Sequence, residues 1–137
     1  MKPIISLGIL IVLFSCTSPE KLLNDKSTDR IYFGKTGGFT NIPMEYVLFE
    51  KGQLFKIRND SLIKIHRISG KLIRTVDSLL ATPDFDSLSL DEPGNITYYI
   101  RTQKNGIEKE VKWSESSDNE LVKELYKVLL ESIQTNP

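Results

Sequence analysis

The sequence predicts an α+β fold: an antiparallel sheet of about five to six strands with two helices packed on one face. Three observations carry this. Short apolar runs between residues 30 and 68 are separated by Gly37-Gly38, Lys51-Gly52 and Asn59-Asp60, as in a meander of antiparallel strands. After Gly70 the apolar spacing changes to three and four, at Leu72, Val76, Leu79 and Leu80. A second stripe of helical spacing, Leu121, Leu125, Leu129 and Ile133, follows the last strand. Strands, helix, hairpin and helix in that order bury their apolar sides best with both helices on one sheet face, which leaves the other face partly polar and wet.

Each element has a local reason. Residues 30–34 read as a short strand, and Lys35-Thr36-Gly37-Gly38-Phe39-Thr40 as a loop whose adjacent glycines permit backbone angles closed to other residues. Residues 44–49 form a strand with Met44, Tyr46 and Leu48 on one face; Lys51-Gly52 turns it into residues 53–58, and Asn59-Asp60 turns those into residues 62–68. The helix after Gly70 is stopped by Pro83, and residues 84–95 are polar and irregular up to the turn Glu92-Pro93-Gly94-Asn95. Ile96, Tyr98 and Ile100 share a strand face, and Asn105-Gly106 is the dipeptide favoured in tight hairpins with positive φ. The return strand places Ile107, Val111 and Trp113 opposite Glu108, Glu110 and Lys112. Ser117 followed by Glu120 reads as a capping box that opens the last helix.

Ahead of this domain, residues 1–15 read as a bacterial lipoprotein signal. Lys2 precedes an apolar run over residues 4–14, and Leu13-Phe14-Ser15-Cys16 supplies the leucine and small residue that a lipoprotein signal peptidase recognises. The run is about half of the ~20 residues that span a bilayer. Cys16, the only cysteine, is the expected lipidation site. One acyl chain holds a protein only marginally, so a cysteine carrying two or three is a stable anchor. Residues 16–29, with only Leu22 and Leu23 as apolar company, read as a flexible tether, and residues 30–137 as a single domain. Thr17-Ser18 lacks the acidic residue that favours inner-membrane retention, so the expected location is the outer membrane, facing the periplasm or the cell surface.

The chain has 137 residues, with 18 Lys+Arg against 18 Asp+Glu. Such neutrality argues against nucleic acid, which needs a net basic face. With Cys16 lipidated no disulfide forms within a monomer, and a monomeric domain held by packing alone is expected.

Five pieces of the chain, taken together, resemble a group of small bacterial envelope lipoproteins of unassigned function. They are Ile31-Tyr32-Phe33-Gly34 with Gly37-Gly38-Phe39-Thr40, Tyr46-Val47-Leu48 before Gly52, Pro93-Gly94-Asn95 before Tyr98-Tyr99, and Val111-Lys112-Trp113 before a closing helix. The Gly-Gly-Phe-Thr loop and the closing strand and helix also resemble, more distantly, emfourin, a small proteinaceous inhibitor of thermolysin-like metallopeptidases. That resemblance implies peptidase inhibition and assigns no inhibitory residue in this chain.

Single motifs are weighed against plainer readings. Gly37-Gly38 lacks the following Lys-Ser/Thr and helix of a phosphate loop, so it reads as a tight turn presenting Phe39, which is expected to fold inward as large apolar side chains usually do. Asp84, Asp86, Asp91 and Glu92 fail the EF-hand pattern, because Leu88 and Ser89 occupy its fifth and sixth positions; they read as a solvated acidic loop. His66, the only histidine, reads as an exposed strand residue, and no hydrolytic triad has a Gly-x-Ser-x-Gly to stand on. Asp-Ser-Leu occurs at Asp60, Asp77 and Asp86 and resembles the acceptor motif of bacterial O-glycosylation; Ser61 and Ser87, in a turn and a loop, are better candidates than helical Ser78. Eight strand and loop aromatics exceed one sheet face, so some are expected at the surface.

The function expected is therefore that of a lipid-anchored, non-enzymatic envelope protein, needing no cofactor or metal. It binds a protein partner, with peptidase inhibition as the most specific version, through candidate contacts Gly37, Gly38, Phe39 and Thr40. The alternative is an accessory subunit of an outer-membrane complex without independent activity.

Overall fold

The structure, a computed structural model, describes residues 18–135; the segment expected as a leader and the expected lipidation site Cys16 lie outside the described residues. The chain runs α1 (Pro19–Asn24), β1 (Arg30–Gly37), β2 (Met44–Phe49), β3 (Gln53–Arg58), β4 (Ser61–Arg67), α2 (Gly70–Leu80), α3 (Pro83–Ser87), β5 (Ile96–Lys104), β6 (Ile107–Ser114) and α4 (Glu120–Gln134). The six strands make one antiparallel sheet in the order β4-β3-β2-β1-β5-β6. This is the α+β fold the sequence predicts. The β3–β4 and β5–β6 turns use left-handed backbone at two adjacent residues: Asn59 and Asp60 have φ of 49° and 60°, and Asn105 and Gly106 of 51° and 76°. Two consecutive positive φ values match the right-handed twist of the strands they join.

The main core lies between the sheet and helices α2 and α4. Phe33, Tyr46, Leu48, Leu54, Ile100, Val111 and Trp113 meet Val76 of α2 and Val122, Leu125, Tyr126 and Leu129 of α4. Tyr126 sets its ring edge-on to Phe33, Tyr98 and Trp113, at centroid distances of 6.4, 5.4 and 5.4 Å. Such contacts add about 0.5–1.5 kcal/mol per pair beyond burial.

Four expectations are corrected. β1 runs past Gly34, because Lys35, Thr36 and Gly37 pair with Tyr98, Thr97 and Ile96 of β5. α2 ends at Leu80, before Pro83 as expected, but the residues after it are not all irregular: Pro83 opens α3, where the Thr82 hydroxyl accepts from the Phe85 amide at 3.3 Å and Phe85 enters the core. A proline's missing N–H costs nothing in a first helical turn. The cap of α4 is Asn119, whose side-chain oxygen accepts from the Val122 amide at 3.2 Å, and Ser117, two residues earlier, is buried. Met44 and Ile107, placed on apolar strand faces, are exposed because both sit at strand ends beyond the reach of the helices.

The larger correction concerns residues 18–29 and the second sheet face. The segment expected as a tether contains α1, and Leu22 and Leu23 pack on a second apolar cluster of Val47, Phe49 and Phe55. That face is apolar beneath α1 and carries a polar strip beside it, where Glu45 of β2, Arg101 of β5 and Glu110 and Lys112 of β6 lie. Arg30 locks the segment down. Its buried guanidinium donates to the carbonyl oxygens of Leu23 at 2.8 Å, Thr28 at 3.2 Å and Asp25, and it sits 5.4 Å from the centre of the Phe49 ring.

Candidate functional site

The loop between β1 and β2 is built by close backbone approach. A side chain at Gly34 would strike the Met44 carbonyl, and one at Gly37 the Asn95 carbonyl. Gly37 and Gly38 have φ of 89° and 76°, which glycine alone adopts without strain. The Gly38 amide donates to Asn95 O at 2.9 Å, tying the loop to the start of β5, and the Asn41 amide donates back to Gly38 O at 3.3 Å. The turn is thus fixed at its base.

Phe39 stands at its tip with a relative exposure of 107%, which corrects the expectation that it folds inward. The reason is the length of β1: with the strand continuing to Gly37, Phe39 lies past the end of the sheet and beyond the helices, and no core remains for it to enter. Thr40 is exposed beside it. Ile42, at 67%, and Met44 continue the apolar surface. Ile42, Pro43 and Met44 then line one wall of a shallow cleft of about 550 Å³ whose other wall is Lys56, Arg58 and the Asn59-Asp60 turn. Among the strand and loop aromatics Phe39 alone is fully exposed. The others divide between the two apolar clusters, or, like Tyr99, lie buried beside the polar strip.

The polar strip on the second face is structural in its chemistry. Arg101 lies 4.3 Å from the centre of the Tyr32 ring and 3.6 Å from Glu45, and Lys112 pairs with Glu110 at 2.9 Å. Burial, and then the Glu45 carboxylate, push the Tyr99 hydroxyl well above its ordinary range, so it stays protonated at any physiological pH.

The remaining candidates fall apart in space. His66 is half-buried, and its Nε2 lies 2.8 Å from the Ser132 carbonyl of α4, a cross-link between β4 and the helix layer that the sequence did not suggest. Asp84 and Asp86 lie on α3, whereas Asp91 sits alongside Lys112 of β6; among the described residues no three His, Cys, Asp or Glu groups converge on a metal position. Ser61 is exposed at the start of β4, and Ser87 is exposed at the end of α3, where its hydroxyl donates to Pro83 O at 2.9 Å. Both hydroxyls are reachable from solvent, as is Ser78, whose hydroxyl donates to Arg74 O at 2.7 Å. Compared with known families and curated proteins, the chain matches no family model and no curated protein.

Proposed function

We propose that this chain is a lipid-anchored protein of the cell envelope that carries no catalysis of its own and binds a protein partner through the loop from Gly37 to Met44. One observation carries the binding role: a phenyl ring stands wholly in water on a loop whose base is tied down by a backbone bond to Asn95 and by close backbone approach at Gly34 and Gly37. Rigid loops on a sheet frame are favoured binding elements, because little ordering entropy is lost when they dock. Inhibition of a peptidase is the most specific form of this role, with Phe39 as the side chain that fills a partner pocket. The anchor is supported by the residues Leu13-Phe14-Ser15-Cys16.

Two measurements test the proposal. Cys16→Ser should leave an uncleaved or mislocalised precursor by fractionation and N-terminal mass; full cleavage and membrane retention would remove the anchor. Tagged wild-type and Phe39→Ala proteins should differ in the one envelope protein they retain. If they retain the same proteins equally, the loop is not the contact. A thermolysin-like metallopeptidase assayed with the purified protein decides whether binding inhibits.

A further inference from the structure

Charge is unevenly placed along the strand order. The β3–β4 hairpin, residues 51–67, carries Lys51, Lys56, Arg58, Lys64 and Arg67 against the single carboxylate of Asp60. The ion pairs among the described residues are Arg101 with Glu45, Lys112 with Glu110 and Lys123 with Glu120, so none of these five cations is paired there. Toward the opposite edge, residues 84–120 hold nine carboxylates against four cations. β4 and β6 are the two sheet edges, five strand spacings or about 24 Å apart. A protein of zero net charge is therefore electrically two-ended.

The N-terminal segment joins the body at the basic end. α1 lies against β4, and only Thr17 and Ser18 separate it from Cys16, a reach of roughly 11 Å even when fully extended. Paired residues share a sheet face, so Lys64, opposite Phe55, and Arg67, opposite Gln53, leave from the face that α1 covers. Lys56 and Arg58 alternate onto the other face, beside Ile63, which is 47% exposed. Only contact along the edge itself brings the cations of both faces, and Ile63, to a single plane.

We propose that the β3–β4 edge is a docking surface for an anionic lipid bilayer, on which the domain stands with β6 farthest from the membrane. The orientation, though not the lipid affinity, rests on the anchor at Cys16 proposed above. It turns the acidic edge away from anionic headgroups. It also holds the β1–β2 loop some two to three strand spacings, about 10–14 Å, above the surface, where Phe39 is clear to meet a partner. A plainer role for lysines on an edge strand is to deter pairing with other chains, which needs no lipid.

The test uses the full chain carrying Cys16→Ser, so that no acyl group contributes, and measures co-sedimentation with vesicles. One set contains phosphatidylglycerol with phosphatidylethanolamine, the other phosphatidylcholine alone. The leader segment is common to all variants, so differences between variants in the anionic-to-neutral ratio read the domain. Each basic residue near an anionic surface raises partition about fivefold, so a preference of at least tenfold is expected, weakening in high salt. Replacing Lys56, Arg58, Lys64 and Arg67 by Gln should abolish it. Replacing Lys104, Lys109, Lys112 and Lys127 by Gln, an equal change of charge away from β4, should not. No preference for anionic vesicles, or equal loss in both variants, would overturn the proposal. A hairpin variant that keeps its lipid preference but aggregates would overturn it in favour of edge protection. Lipidation is read separately, from the mass of the wild-type N-terminus, so failure of the anchor and failure of the docking surface are distinguishable.

Discussion

Phe39 contributes almost nothing to the core, and that decides how its removal should read. Truncation to Ala at an exposed position should change stability by less than about 0.5 kcal/mol, whereas Phe33→Ala, fully buried in the main core, should cost about 3–5 kcal/mol through the cavity it leaves. Paired denaturation curves check the contrast; a large loss from Phe39→Ala would mean that the loop folds onto the domain. Asp25 is the second informative residue. Hydrogen bonds from the Ser27 hydroxyl, the Ser27 amide and the Thr28 hydroxyl, with the Arg30 charge adding, hold its carboxyl below the ordinary 3.8. A depressed value in the folded state stabilises above the unfolded value, and the effect is lost as pH falls through the folded one. Amide protection in residues 18–29, taken relative to the intrinsic exchange rate at each pH, should therefore fall below about pH 4 before that of the sheet, and Asp25→Asn should remove that acid step. Simultaneous exchange of segment and sheet would contradict it.

Elements show why some of the fold was legible and some was not. The hairpins were readable because Asn59-Asp60 and Asn105-Gly106 encode their turn geometry in two adjacent residues, and α2 and α4 because apolar spacing of three and four survives over several turns. Thr82-Pro83 misled, since a proline after a helix looks the same whether it stops one helix or starts the next. Ser117 and Asn119 are both good caps, and the choice fell to tertiary packing that buries Ser117. Asn119→Ala should accordingly lower stability by about 1 kcal/mol, with Ser117→Ala leaving the Val122 amide still capped; reversal of that order in thermal melts would restore the capping box. α1 was the hardest element to see. Its anchor, Arg30, binds three main-chain carbonyls, and no side-chain pattern records such partners. In the candidate site the adjacent glycines marked the loop, but the outward aim of Phe39 depends on how far β1 and β5 stay paired, which is a property of register and not of the loop's own residues.

At the scale of the whole molecule, its buried tyrosines make alkaline pH the weak side. Burial raises the hydroxyls of Tyr99 and Tyr126 well above the ordinary 10.0, and Tyr98 is raised as well. A raised folded value protects stability fully below the unfolded value, and the protection fades as pH climbs above it. Denaturant midpoints should thus fall from about pH 10 upward, and Tyr126→Phe should flatten the decline; an unchanged midpoint through pH 11 would argue that these hydroxyls are wet. The placement of β1 in the middle of the sheet has a consequence of another kind. Its partner on one side, β2, follows at once in the chain, but its partner on the other, β5, begins at Ile96, with Arg30 registered against Gln103. The meander β1 to β4 and the hairpin β5–β6 are each built from strands adjacent in sequence, and a single hairpin closes in roughly 1–10 μs. Joining them requires closing a long loop before any inter-strand bond rewards it, so the seam between β1 and β5 sets the pace of folding and is the first place where an incompletely assembled chain exposes open strand edges.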